Sequence, residues 1–156
     1  MELKTDVFKI YDKKWALVTS GTPDDFNTMT ISWGGLGTIW NKPVATVYIR
    51  TSRLTHEYMD KNEYFSVCFF PEQYKETLGI LGAKSGREID KMHIEGLTPR
   101  KEMDTVVYDE ADITLVCRKL FVQELDPSKI PSDIVDKFYN GIAPHDMYIG
   151  EVVSVF

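Results

Sequence analysis

The chain contains 156 residues, of which 43% are hydrophobic and 27% charged, with 18 basic and 24 acidic side chains and a formal net charge of −6. This length and balanced composition predict a single folded domain over residues 1–156 and exclude two independent catalytic domains. The acidic charge argues against nucleic-acid binding, and no apolar run comes near the ~20 residues of a bilayer span. Because the first residues lack the apolar core of a secretion signal, we expect a cytoplasmic protein.

The first elements predicted along the chain are strands. Apolar and β-branched residues predict strands over residues 14–20 and 27–33, joined as a hairpin through the turn residues 23–25. A third strand is predicted over 44–49, after a glycine-rich stretch. A nearly continuous apolar run over 63–70 predicts a strand that is buried on both faces and lies centrally in its sheet.

Short helices are predicted between these strands. Leu54 and Tyr58 share one helical face behind Ser52 or Thr55 as the N-cap. Apolar residues at helical spacing predict a second helix over 72–83. The remaining predictions are another helical turn at 90–94, a long strand over 111–125, a short helix over 133–139 and a final strand over 147–156.

Strands separated by hairpins and short helices, without regular βαβ alternation, predict a mainly antiparallel β-barrel. Neither a GxGxxG after a first strand nor a GxxxxGK[ST] is present, which disfavours a doubly wound nucleotide-binding sheet. Cys68 and Cys117 each lie within an apolar stretch, so we expect buried, reduced thiols rather than a disulfide. Scattered histidines and the absence of HExxH or paired CxxC predict no metal site.

The first candidate site is a row of hydroxyls on the second strand. Alternation along a strand places Thr28, Thr30 and Ser32 on one side and Asn27 and Trp33 on the other. Such a row can bind a polar ligand. It is equally typical of an edge strand whose hydroxyls face water.

Cations form the next two candidates. Residues 50–56 combine Arg50, Arg53, three hydroxyls and a helix N-terminus, which are the donors that a terminal phosphate needs. Residues 84–91 add further cations around Gly86. Basic side chains are concentrated in the first two thirds of the chain: residues 1–101 hold 14 basic and 13 acidic side chains, whereas residues 102–156 hold 4 basic and 11 acidic ones. A solvated surface turn remains the alternative for both segments.

A histidine precedes the last predicted strand. His145 is followed by Asp146, but adjacent side chains on a strand point to opposite faces. The pair alone therefore predicts a structural histidine as readily as a proton-transfer group.

Five segments, taken in order, resemble the flavin reductase-like proteins of the FMN-binding split-barrel superfamily, flavoredoxin-type members especially. The segments are NTMTISW (27–33), GTIWNKP (37–43), YIRTSRLT (48–55), SGREIDK (85–91) and HDMYIGEV (145–152). The resemblance covers nearly the whole chain. It implies a six-stranded antiparallel Greek-key split barrel that forms a homodimer and binds FMN non-covalently near the subunit interface.

The resemblance also implies roles for individual residues. Those implied to border the flavin ring and its ribityl chain are Asn27, Thr28, Thr30, Ser32, Trp33 and Thr38. Those implied to hold the phosphate are Arg50, Ser52, Arg53, Thr55, Arg87 and Lys91. His145 is implied to act on the nicotinamide side, where NADH or NADPH would be the electron donor.

The function implied is that of an NAD(P)H-dependent flavin reductase or a flavoredoxin-like electron-transfer protein. Its partners would be flavin and a nicotinamide or a protein redox partner. His145 is the one candidate for nicotinamide contact, so the sequence does not identify the electron donor. Two alternative functions also stay open. One is a non-catalytic module that stores or senses FMN, and the other is a pyridoxine-phosphate-oxidase-like enzyme on the same barrel.

Overall fold

The computed structural model describes residues 2–156, which contain nine strands in two antiparallel sheets. The main sheet consists of β1 (Ala16–Thr22), β2 (Asp25–Ile31), β3 (Gly34–Ile39), β4 (Lys42–Arg50), β5 (Tyr64–Phe69), β8 (Ile113–Glu124) and β9 (His145–Val155), and β6 (Pro99–Glu102) pairs with β7 (Thr105–Tyr108) in a separate hairpin. The spatial order of the main sheet is β2-β1-β5-β8-β9-β4-β3. The predicted mainly antiparallel β fold is confirmed.

The main sheet has seven strands where six were expected, because the glycine-rich stretch is itself a strand. Gly34 to Ile39 pair with β4 in register, Gly35 opposite Thr46 and Thr38 opposite Pro43. Trp40 and Asn41 both have positive φ, 51° and 56°, which closes the two strands with a tight hairpin turn. Within residues 2–156 no ladder joins β2 to β3, so the curled sheet stays open along one side.

The predicted hairpin and the predicted central strand are both confirmed. β1 pairs with β2 from Ala16 opposite Ile31 to Thr22 opposite Asp25. Gly21 has a φ of 121°, and a Cβ there would lie 2.7 Å from Phe26 Cα, so the close approach of the two strands requires glycine. β5 lies between β1 and β8, and five of its six residues are buried.

Helices connect the strands largely as predicted. They are α1 (Leu54–Lys61), α2 (Lys75–Ala83), α3 (Ser132–Phe138) and shorter turns at Ile10–Lys14, Glu72–Tyr74 and Pro127–Lys129. The expected turn of helix at 90–94 was wrong, since bends and turns occupy that segment. The N-cap of α1 was also wrong: Arg53 caps it without a side-chain bond, and neither Ser52 nor Thr55 does.

The core has two parts, one on each face of the sheet. Phe65, Val67 and Tyr148 belong to the cluster inside the barrel, and Leu17 and Phe70 belong to the cluster outside it, which also includes side chains of α2 and β7. Both cysteines are free and buried, as expected. Across residues 2–156, none of the helices combines the length and apolar character that crossing a membrane requires.

Candidate functional site

A groove opens where the ends of β2 and β4 approach each other across the open side of the sheet. It is lined by Met29, Thr30, Ile31, Ser32, Trp33, Tyr48, Arg50, Arg53 and His145, and its volume is about 180 Å³. Six of these nine were predicted as site residues: Thr30, Ser32, Trp33, Arg50, Arg53 and His145. The groove joins an aromatic and apolar wall to a cationic end.

The cationic end lies at the C-terminus of α2, where main-chain carbonyls lack helical partners. Two predicted residues donate to these carbonyls, Lys91 to Leu81 (2.8 Å) and Arg53 to Gly82 (2.9 Å), and Thr30 donates to Leu78 (2.5 Å) earlier in the helix. Cations here are favoured by the negative end of the helix dipole. Part of the cation cluster that the sequence suggested for an anion therefore serves to cap this helix.

One strong donor at this end has no partner. Arg53 Nη2 is buried and makes no hydrogen bond within residues 2–156. Lys91 is 4% exposed and uses two of its three N–H donors, on Leu81 and on Thr28 O (3.0 Å). Burial, and then the neighbouring Arg53 guanidinium, lowers the pKa of Lys91 to about 8. Arg53 and Lys91 are neighbouring positive charges, and Arg53 also has a donor without a partner. Together they form an environment that favours an anion.

The predicted row of hydroxyls does not line one surface. Thr28 is fully buried, and its hydroxyl contacts Thr19 Oγ1 at 2.8 Å and donates to Val18 O at 3.1 Å. Ser32 lies beyond the end of β2. Thr28 and Thr30 do share one side of β2, but the row fails as an open surface because α2 packs against that side, where Thr30 donates to Leu78 O.

Asn27 and Thr55 are buried together behind the groove. Asn27 Nδ2 donates to Thr55 Oγ1 at 2.8 Å, which attaches the first turn of α1 to β2. Gly86 packs so closely on them that a Cβ there would collide with the Asn27 amide and lie 2.8 Å from Leu54 Cδ2. These residues position Arg53 rather than line the groove.

Arg50 lies on β4 directly opposite His145 on β9. Its Nη1 donates to Ala143 O at 2.7 Å, and its guanidinium lies over the Tyr139 ring, 5.3 Å from the centroid. Arg50 therefore contributes positive charge to the groove and also binds the segment that follows α3.

His145 is 6% exposed, and its Nδ1 lies 2.7 Å from the Tyr139 hydroxyl. Burial, and then Arg50, lowers the pKa of His145 to about 4. The imidazole is therefore neutral at physiological pH. Its ring lies 5.5 Å from that of Trp33, which is 42% exposed and packs edge-on against Phe138.

Seven of the thirteen predicted site residues do not line the groove. Four of them are buried behind it, Asn27, Thr28, Thr55 and Lys91, and the other three lie away from it, Thr38, Ser52 and Arg87. Ser52 is exposed, and its main-chain carbonyl accepts a hydrogen bond from Arg87 Nη1 at 3.3 Å. Arg87 also pairs with Glu57 at 3.0 Å in a solvated ion pair. Thr38 lies on the exposed edge strand β3, beside a separate shallow depression that it lines with Tyr48 and Ile149.

A family model for the flavin reductase like domain matches residues 9–156. The chain belongs to the flavin reductase-like family. This membership supports a flavin cofactor and a flavin-related oxidoreductase function. No curated protein sequence matches the chain significantly.

Solved structures share the fold of this flavin reductase-like chain. A flavoredoxin from Methanosarcina acetivorans is 22% identical with a TM-score of 0.71, over 100% of this chain and 74% of that one. An FMN-binding protein from Thermus thermophilus is 22% identical with a TM-score of 0.70, over 100% and 79%. The styrene monooxygenase flavin reductase from Pseudomonas putida S12 is 16% identical with a TM-score of 0.66, over 92% and 78%.

Tyr48 and Tyr139 are among the residues that shape the groove of this flavin reductase-like chain and that sequence reasoning did not predict as site residues. Tyr48 was findable, because it lies two positions before Arg50 on one strand and therefore shares its face. Tyr139 was not findable, because it contacts Arg50 and His145 through the irregular segment after α3, whose path the sequence pattern does not define.

Proposed function

We propose that this flavin reductase-like chain binds FMN non-covalently in the groove and uses it to take electrons from NADH or NADPH. The observation that carries the proposal is the buried, unpartnered Arg53 Nη2 at the cationic end of a groove with an aromatic wall. A buried donor of a charged group without an acceptor costs free energy, so the fold retains it at a cost that a ligand oxygen would offset.

The phosphate of FMN fits the cationic end. Near neutral pH it carries about −1.5 to −2 charges and offers three acceptor oxygens. Arg53 lines the groove, and a small shift of its guanidinium would bring the buried Nη2 to one of these oxygens. The Arg50 guanidinium on the groove wall and the Lys91 ammonium buried behind it would add positive charge. The Ser32 hydroxyl, on the groove wall, would bind along the polar chain that joins the phosphate to the ring.

The flavin ring fits the other end. Met29, Trp33 and Tyr48 line it with apolar and aromatic surface, which is the environment that a flat heteroaromatic group requires. The chemistry that bound FMN supplies is hydride acceptance from a nicotinamide and onward transfer of electrons. In this chain Arg50 holds positive charge at the groove, and the neutral His145 offers a ring nitrogen to the nicotinamide side.

A second copy of the chain would complete the site. Complete ligand pockets hold roughly 300 to 1,000 Å³, whereas this groove holds about 180 Å³ and is open to solvent. Beside it, Leu36, Ile39 and Ile149 line a shallow apolar depression on the β3 side of the sheet. We therefore propose a homodimer in which this face meets its partner. Sedimentation of the purified protein at micromolar concentration should give a mass near twice 17.9 kDa.

The proposal is tested by the absorbance of the protein after incubation with FMN and gel filtration. Retained flavin bands that bleach on anaerobic addition of NADH or NADPH are the expected result. Retained flavin that neither nucleotide reduces would overturn the reductase function and assign FMN storage or sensing. Protein that leaves the column colourless after saturation with FMN would overturn the binding proposal itself.

A further inference from the structure

The segment between β8 and β9 reaches the groove through a few side chains. Its helix α3 has no buried residue, yet the last residue of the helix and the one that follows it contact the groove wall. Phe138 packs edge-on against Trp33 with the ring centroids 5.1 Å apart, and the Tyr139 hydroxyl lies 2.7 Å from His145 Nδ1. The aromatic pair is ordinary packing, but the hydrogen bond determines the chemical state of His145.

The direction of that hydrogen bond follows from the two groups. A phenol is the stronger acid and the better donor, and a neutral imidazole nitrogen is the better acceptor. The Arg50 guanidinium lies over the Tyr139 ring at 5.3 Å, and its positive charge disfavours a charged imidazole at His145. Tyr139 therefore donates and His145 Nδ1 accepts.

The other ring nitrogen is then the one that carries the proton. Within residues 2–156, His145 Nε2 makes no hydrogen bond, and unlike Arg53 Nη2 this nitrogen is not fully buried. The ring lines the groove between Trp33 and Arg50. An accessible N–H on the groove wall is a hydrogen-bond donor for a ligand.

We propose that Tyr139 is a positioning residue that holds His145 as the Nε2–H tautomer, a fixed donor to a carbonyl-type acceptor of the ligand in the groove. The proposal deepens the flavin site and rests on it for the identity of the ligand. It gives His145 a recognition role: the residue binds an amide or carbonyl oxygen and exchanges no proton with the ligand.

The decisive measurement is the nitrogen NMR spectrum of the histidine rings in the ligand-free, wild-type protein. Two-bond nitrogen–proton correlations distinguish the Nε2–H tautomer, the Nδ1–H tautomer and the imidazolium, and a His145→Gln variant assigns the signals. We expect His145 to remain the neutral Nε2–H tautomer from pH 5 to 8. A dominant Nδ1–H tautomer, or a charged ring at pH 6, would overturn the proposal without any reference to flavin.

The role of Tyr139 is tested by Tyr139→Phe, with Tyr74→Phe as the matched control, since Tyr74 packs against Phe70 and lies at the N-terminus of α2, the end opposite the groove. One hydrogen bond of about 1.4 kcal/mol corresponds to a tenfold change in an equilibrium. Tyr139→Phe should therefore lower the ratio of Nε2–H to Nδ1–H by about tenfold, and Tyr74→Phe should leave it unchanged. An unchanged ratio in folded Tyr139→Phe would overturn the positioning role.

A second readout connects the tautomer to the ligand. The oxidised nicotinamide nucleotide and FMN are each titrated, and Tyr139→Phe should weaken one of them several-fold relative to Tyr74→Phe. Equal affinities in both variants would show that Nε2–H meets no ligand acceptor and would overturn the recognition role. If wild-type protein binds no flavin, the proposed function fails, while the tautomer measurement still decides the state of His145.

Discussion

Replacing Arg53 by methionine isolates the group on which the flavin proposal depends. Methionine keeps most of the aliphatic length and packing of arginine but removes its charge and all its donors. Two donors matter here: Nη1, which donates to Gly82 O at 2.9 Å, and Nη2, which is buried and unpartnered. The substitution should therefore leave folding nearly unchanged and weaken binding.

The two effects on folding nearly cancel. Loss of the bond to Gly82 removes about 1.5 kcal/mol or more, since hydrogen bonds of charged groups contribute roughly 1.5 to 3 kcal/mol. Removal of a buried donor that has no partner raises the free energy of unfolding by about 1 to 3 kcal/mol. We therefore expect the free energy of unfolding of ligand-free protein to change by less than about 1 kcal/mol.

The effect on FMN binding should be large. A charge-assisted bond from Nη2 to a phosphate oxygen is worth about 1.5 to 3 kcal/mol, which is roughly a tenfold to hundredfold change in Kd. Riboflavin, which lacks the phosphate, should bind wild type and Arg53→Met equally. The difference between the two flavins therefore measures the phosphate contact alone.

The assay is quenching of flavin fluorescence on titration with protein, combined with urea denaturation. Arg100→Met serves as the matched control, because Arg100 lies on β6 and pairs with Glu102 and Asp109 away from the groove. An Arg53→Met protein that folds normally and binds FMN as tightly as wild type would refute the placement of the phosphate.

Three further predictions use other parts of the molecule. The folded-state pKa of His145, about 4, lies below its ordinary value of 6.5, so the unfolded state binds the extra proton as pH falls from 6.5 to 4. Urea denaturation should therefore lose up to about 3 kcal/mol of unfolding free energy over that range, and His145→Asn should flatten the loss. Lys91 loses its charge near pH 8, so FMN affinity should fall about tenfold or more from pH 7 to 10 in wild type but stay level in Lys91→Met. Gly86→Ala should destabilise the protein by about 1 to 3 kcal/mol, because the new Cβ meets Asn27 and Leu54, whereas Gly79→Ala in α2 has open space and should stabilise it by about 0.5 to 1 kcal/mol.

The strands that could be predicted were those that a short stretch of sequence marks by its apolar residues or by the turn residues beside it. The apolar run that became β5 and the turn chemistry between β1 and β2 are local signals, and both predictions were confirmed. The hairpin of β6 and β7 was missed. Its first strand contains Pro99, Arg100 and Lys101, whose side chains are exposed or half-exposed, so no hydrophobic alternation marks it.

The candidate site divides in the same way. Arg50 and Arg53 could be found because charged groups next to strand and helix ends are visible in sequence, and His145 because its segment resembles the family. The buried position of Thr28 and the bonds from Lys91 to Leu81 and Thr28 could not, because they depend on how β1, β2 and α2 pack in three dimensions. Sequence identifies which groups can bind an anion, and only the tertiary structure shows which of their donors are already used.

The bonds that hold cations at the end of α2 have a consequence for the kinetics of binding. Arg53 and Lys91 are anchored to helix carbonyls before any ligand arrives, so their side-chain entropy is already lost when the protein folds. A preorganised site of this kind binds with little structural rearrangement, and its electrostatic attraction acts on the incoming anion at long range. Association with a phosphate-bearing ligand should therefore be fast and slowed by salt, with selectivity expressed mainly in the rate at which the ligand leaves.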